Sequence, residues 1–159
     1  MHNRHQIFIS SQMNRNTLRD ERRSARNVIN KLNFVFIPWD WEHDGPAGSK
    51  PPMDYCLNEV RRSYALVVII SRTLTKDTHA EYKLAKKQGK HLFVFFKKGC
   101  QQGKSLLFRK RLKPSWREFE KASEFESMLF NSLQDLAFNA LGDYKSTPST
   151  GMAYKKAKS

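Results

Sequence analysis

The sequence predicts an α/β domain: a three-layer, flavodoxin-like (Rossmann-like) sandwich around a parallel sheet of four to five strands. Three observations carry this. Short apolar runs of strand length alternate with longer segments of helical periodicity. The run YALVVIIS (64–71) is apolar on both faces, as a central parallel strand must be when helices cover it above and below. Parallel neighbours also need crossover connections, so the strand–helix series distributes its helices over both faces of one sheet.

The elements follow in order. HQIFISS (5–11) is a buried strand ending in two hydroxyls. In RNTLRDERRSARNVINKLN, Leu18, Ala25, Val28, Ile29 and Leu32 share one helical face while charges fill the other, and Asn33 suits the stop. FVFIPWDW (34–41) is a second strand, ended by Pro38. EHDGPAGSKPP is a Gly/Pro loop, and MDYCLNEVRRS (53–63) is a helix with Pro51 and Pro52 at its first turn. After the 64–71 strand, Thr75 or Thr78 caps a helix running to about Gln88 and closed by Gly89, with Glu81 in its first turn. HLFVFF (91–96) is a further strand. The basic segment after it reads as a loop with a short helical turn, and WREFE as a last short strand. SEFESMLFNSLQDLAFNALG is an amphipathic helix opened by a capping box, Ser123 with Glu126, and closed by Gly142. Residues 1–142 thus form one domain, and 143–159 a flexible basic tail of disorder-type composition.

At 159 residues the chain is long enough for one sizeable core. No stretch approaches the apolar length that spans a bilayer, and the N-terminus lacks the apolar run of a secretory signal. Cys56 and Cys100 have no metal-type partners at close spacing and read as reduced thiols of a cytoplasmic protein. The net charge of +14 concentrates anions of any kind near the surface, whether nucleotide, nucleic acid or lipid.

Ligands of such sheets bind beyond the carboxyl ends of the strands. That rule lines up Ser10, Ser11, Trp39, Asp40, Trp41, Glu42, Ser71 and the 73–81 segment along one edge. Ser10 and Ser11, with the N–H groups after them, suit an anion or simply end a strand. Trp39 and Trp41 suit stacking on a base or packing in the core. Asp40, Glu42 and Asp44 line a ribose site or are solvated loop charges. Glu81 is either a helix-end charge or a carboxylate acting at an anomeric carbon, as carboxylates do in glycoside hydrolysis. No GxGxxG, P-loop, HExxH or GxSxG occurs, and no metal site is expected. The basic stretch KKGCQQGKSLLFRKRLK, bounded by Lys97 and Lys113, suits nucleic acid, with Phe108 as a stacking face, or is a solvated surface.

Together IFISS, RDERRSARNVI, WDWEHDGPAGSKPPMDYCLNEVRRSYALVVIIS and THAEYKLAKKQGKHLFVFF resemble the TIR-like superfamily. The likeness is nearest to its DUF4062 and nucleoside deoxyribosyltransferase-like branch, over roughly residues 6–98. The resemblance implies a flavodoxin-like fold and an N-glycosidic-bond site for NAD or a nucleoside, in bacterial defence or signalling. Glu81 would be the catalytic carboxylate, with Ser10, Ser11 and Asp40 on ribose or phosphate and Trp39 or Trp41 as a stacking wall. No cofactor is implied beyond NAD as a substrate. It equally implies a non-catalytic module that self-associates or binds a signalling partner. Three features depart from the family's pattern: KDTHAE lacks the Trp or Cys common before the TIR glutamate, Tyr64 stands where deoxyribosyltransferases carry an acid, and their glycine-rich first loop is missing.

Overall fold

The computed structural model describes residues 3–13, 17–47, 52–99, 101–112 and 115–145. Pro51, Cys100, Lys113 and residues 146–159, each part of an expectation above, lie outside the described residues. Five strands form one parallel sheet: β1 (His5–Ser11), β2 (Phe36–Trp39), β3 (Ala65–Ile70), β4 (His91–Lys97) and β5 (Trp116–Phe119). Their order is β2-β1-β3-β4-β5, and every neighbouring pair is parallel. This is the flavodoxin-like order, with its topological switch between β1 and β3.

β3 holds the centre because all six of its residues are apolar and buried. Its alternate side chains feed two separate cores. Ala65, Val67 and Ile69 meet α1 (Arg19–Lys31) and α6 (Ala122–Lys145), where Val28, Ile29, Phe125, Leu129 and Leu133 are wholly buried. Leu66, Val68 and Ile70 meet α3 (Met53–Arg62), α4 (Lys76–Lys87) and α5 (Lys104–Arg111) through Val60, Tyr82, Ala85 and Phe108. β1 divides in the same way, with Ile7 and Ile9 in the first core and Phe8 in the second. Phe125 is the pivot of the first core, with Phe95 at 5.0 Å and Phe119 at 5.1 Å between ring centroids.

Five local expectations are corrected. β2 does not stop before Pro38 but includes it. As an edge strand it tolerates a residue without an N–H. The chain then leaves the sheet at Asp40, whose carboxylate accepts from His43 N and starts the short helix α2 (Trp41–Asp44), so Trp41 is helical rather than extended. α5 is a full helix of two turns where a loop with one helical turn was expected. α6 begins at Ala122, so Ser123 lies inside it and forms no capping box. Glu124 instead accepts from Glu120 N, and Glu126 pairs with Lys31. Nor does Gly142 end that helix, which continues to Lys145, three residues into the stretch expected to be tail. No described helix is long and apolar enough to cross a membrane.

Candidate functional site

Thr75 rather than Thr78 caps α4, its Oγ1 accepting from Thr78 N at 3.3 Å. This choice decides where Glu81 falls. With the helix starting at Lys76, the first-turn acid is Asp77, and Glu81 sits in the second turn on the face turned to the sheet. The reading of Glu81 as an exposed helix-end charge is thereby overturned. Its side chain is buried, with the residue 7% exposed, and it accepts a 2.6 Å hydrogen bond from Ser10 Oγ at the end of β1. Removal from water pushes the Glu81 carboxyl up to about 7. The bond from Ser10 opposes that rise, and nearby Asp77 adds to it. Cys56, on α3 beside it, is pushed up to about 12, first by burial and then by the charges of Glu81, Asp77 and Glu59. It therefore stays a neutral, unreactive thiol at neutral pH.

The two serines part company. Strand alternation sends Ser10 to the α4 side, whereas Ser11 faces α1 and lies 3.4 Å from Arg22 Nη1. Arg22 is the residue that sequence reasoning missed. The residue is 4% exposed, and its guanidinium donates to Gln12 O at 2.8 Å and Thr17 O at 2.7 Å. Its Nε reaches Glu42 at 3.3 Å. One cation thus ties the first and last parts of the β1–α1 loop to α2. The signal was present: Leu18, Arg22, Ala25 and Ile29 follow helical spacing, so Arg22 interrupts an apolar stripe and must be buried. Leu18 enters the helix at φ 58, a left-handed conformation that costs a leucine energy. On the same side Glu21, also buried, pairs with Lys97 at 2.9 Å.

Asp40 is 1% exposed. Its oxygens accept from Arg26 Nη1 at 2.7 Å and face His43 Nδ1 at 2.9 Å, while Arg26 also bridges to Asp44. Asp40, Glu42 and His43 bring one ligand atom each within 4.8 Å of one another, but the adjoining Arg26 guanidinium occupies that charge and opposes a second cation there. Trp39 is buried against Phe8, ring centroids 5.0 Å apart. Trp41 is half-buried and meets Tyr55 edge-on at 5.7 Å. Ser71 follows β3, its carbonyl accepting from Gln101 Nε2. Across the switch point Thr73 Oγ1 donates to Gln12 Oε1 at 3.3 Å.

Ser10, Ser11, Asp40, Trp41, Ser71 and Glu81 therefore all lie at the carboxyl edge, but on two sides of the sheet. Ser10 and Glu81 are in direct contact; Ser11 and Asp40 belong to the arginine side. In the basic stretch, Lys97, Lys98 and Arg109 are engaged with Glu21, Glu120 and Glu118. Phe108 is buried against Tyr82 rather than offered to a base.

The family model described as "Domain of unknown function (DUF4062)" matches residues 6–139. The chain belongs to this family. The DUF4062 match spans the sheet from the second residue of β1 onward and most of α6, so the buried Glu81–Ser10 contact and the Arg22 clamp both fall within it. No curated protein matches the chain. Among solved structures, a conserved protein from Enterococcus faecalis V583 is similar at a TM-score of 0.60 and 12% identity, over 82% of this chain and 99% of its own. A flavone reductase superposes at a TM-score of 0.48 and 11% identity, over 89% of this chain and 65% of its own. At 12% identity the first likeness speaks to the α/β fold of this DUF4062 domain alone.

Proposed function

We propose that this DUF4062 domain is a TIR-like nucleotide-binding enzyme that cleaves an N-glycosidic bond, in NAD or a nucleoside, in bacterial defence or signalling. The observation that carries the reading is the Glu81–Ser10 pair: a carboxyl raised to about 7, at the switch point where such sheets take their ligands. A carboxyl in that range is substantially ionised near neutral pH. Its desolvation makes it a stronger electrostatic partner than a carboxylate in water for positive charge developing on a sugar. Ser10 holds one oxygen, leaving the other for the anomeric carbon. The bond from that carbon to the base nitrogen breaks with its electron pair leaving on the base. Water then supplies the oxygen that replaces it, and its proton passes to solvent when nicotinamide leaves, or to the departing base of a nucleoside. Nicotinamide is a good leaving group here because it departs neutral from a cationic ring. Trp41 is the stacking wall, with Trp39 packed beneath it in the core. Asp40 and the Ser11 and Ser71 segments border the ribose and phosphates.

The test is incubation of concentrated wild type and Glu81→Gln with NAD and a panel of nucleosides, following free base by chromatography. Base release by wild type alone is the expected result; release by both removes Glu81 as the catalyst. A second reading rests on Glu81 being buried and already hydrogen-bonded, which also suits an interior polar contact in a non-catalytic interaction module. Silence from both proteins, with concentration-dependent association by light scattering, favours that module.

A further inference from the structure

Helices α4 and α5 lie side by side over one face of the sheet, and Phe108 joins them. Its ring meets Tyr82 edge-on at 4.8 Å and His79 at 5.5 Å between centroids. That contact fixes which flank of each helix turns toward the other. On α4, His79, Lys83 and Lys86 follow the i, i+4, i+7 spacing of one stripe beside Tyr82. On α5, Lys104 and Arg111 flank Phe108 four residues before it and three after. The two stripes are the walls of a groove with Tyr82 and Phe108 as its floor. At one end it opens into a cleft of about 310 Å³ over Leu92, Val94 and Leu112, lined also by Lys86 and Arg111.

Both walls are cationic and available. Lys83, Lys86, Lys104 and Arg111 are exposed. Among the described residues the side chains of these four have no ion-pair or hydrogen-bond partner. Their charges converge on His79, which is held below the ordinary imidazole range by burial first and then by Lys83, Arg111 and Lys104. The acids of these elements are turned away or taken. Glu81 is buried against Ser10, Asp77 lies on the α3 flank of α4, where its charge acts on Cys56, and Glu118 is held by Arg109. α5 carries no acid at all. Unopposed like charges repel one another in the folded chain, and a polyanion relieves that repulsion.

The surface also selects among polyanions. An anionic membrane needs an apolar face to bury beside the cations, and Leu107 is the single large apolar residue exposed on either helix. Protein interfaces are depleted in lysine and built on aromatic anchors, and neither helix exposes a Phe, Tyr or Trp. A run of phosphodiesters needs only cations spaced along a line. Lys104 and Arg111 are separated by roughly 10 Å of helix, which spans about three phosphates of a stacked strand. Packed helices stand about 8 to 10 Å apart, a gap that admits one strand rather than a duplex.

We propose that the α4–α5 groove binds the phosphate backbone of a single-stranded nucleic acid, without reading its sequence, through Lys83, Lys86, Lys104 and Arg111. The cleft over Leu92 and Leu112 gives room for an unstacked base beside the phosphates. The groove is separate from the site at Glu81, which the same helix turns toward the sheet.

The experiment is fluorescence anisotropy of a labelled oligothymidylate titrated with the full chain over a series of salt concentrations. Log affinity is expected to fall linearly with log salt, with a slope of about −3 for four phosphate contacts. Lys86→Gln/Arg111→Gln, with an unchanged thermal melt, should weaken binding at least tenfold and flatten that slope by about 1.4. Arg19→Gln/Arg23→Gln removes the same charge from exposed positions on α1, over the other face of the sheet, and should stay within twofold of wild type. Glu81→Gln should bind as wild type. Equal losses in the two double variants would reduce the effect to overall charge and overturn the groove. So would a flat salt response, no binding at low salt, loss of binding in Glu81→Gln, or tighter binding to a duplex or to phosphatidylserine vesicles than to the single strand.

Discussion

Ser10 Oγ donates to Glu81 Oε1 at 2.6 Å although 71 positions separate them, and both groups are buried. The contact joins the end of the second strand in the sheet to the second turn of the helix after β3. It fixes which face of α4 the sheet receives, and it leaves the acid in a site where ionisation is costly.

The first prediction concerns that cost. Glu81 has a folded value of about 7 against 4.5 for a free carboxyl. Between those values the folded state binds the extra proton, so the stabilisation is complete below about 4.5 and is lost as pH rises through about 7. Glu81→Gln removes the ionisation while keeping an acceptor for Ser10. It should therefore unfold like wild type at pH 4.5 but be more stable at pH 8, by on the order of 3 kcal/mol at most. Urea unfolding at the two pH values checks this. A variant less stable than wild type at pH 8 would contradict it.

Ser10→Ala should move the same titration further upward, because the lost hydrogen bond favours the ionised form. Any base-release profile that depends on Glu81 should shift its acid limb to higher pH in step. Carbon-13 NMR of the Glu81 carboxyl reads the shift directly, and an unmoved midpoint would show that the bond has no influence on it.

Arg22 offers a harsher test. Arg22→Met leaves the carbonyls of Gln12 and Thr17 without their donor and Glu42 without its partner. Removing one side of such a buried charged cluster costs about 3 to 5 kcal/mol. Arg22→Lys should recover little of it, since an ammonium cannot span the same acceptors. Hydrogen exchange should speed up at residues 12–13 and 17–18 in both variants, and wild-type protection there would sink the clamp.

Phe125→Ala should cost about 3 to 5 kcal/mol by emptying the space between Phe95 and Phe119. Thr75→Ala should cost about 1 kcal/mol through the lost α4 cap. Denaturant unfolding of the two variants separates core from cap, and no loss in Thr75→Ala would mean that the α4 start is set by something other than Thr75.

The strands were legible wherever burial on both faces left a continuous apolar run, as in β1, β3 and β4. The carboxyl-edge rule also placed Ser10, Ser11, Asp40 and Glu81 at the end of the sheet where the structure has them. Depth was not legible. Whether Glu81 is a surface charge or a buried acid turned on which of two threonines, three residues apart, capped the helix, and both had the right chemistry. The α2 turn was hidden by the aromatic WDW, which suits a strand until Asp40 folds back on His43 N. α5 was hidden because its charges surround it, and only Ser105 and Phe108 are buried. The capping box at Ser123 failed because Glu124, two residues before Glu126, took an equivalent role with Glu120 N.

Ser10 and Ser11 are chemically identical neighbours, yet one meets a carboxyl group and the other a guanidinium. The strand between them acts as a partition with opposite electrical signs on its two sides. A one-residue insertion or deletion early in β1 would reverse every side chain across that partition, because the strand period is two. Apolar positions could absorb such a reversal, since both cores are lined by similar residues. The polar end could not, so it is the last two residues of β1 that make its alignment unambiguous.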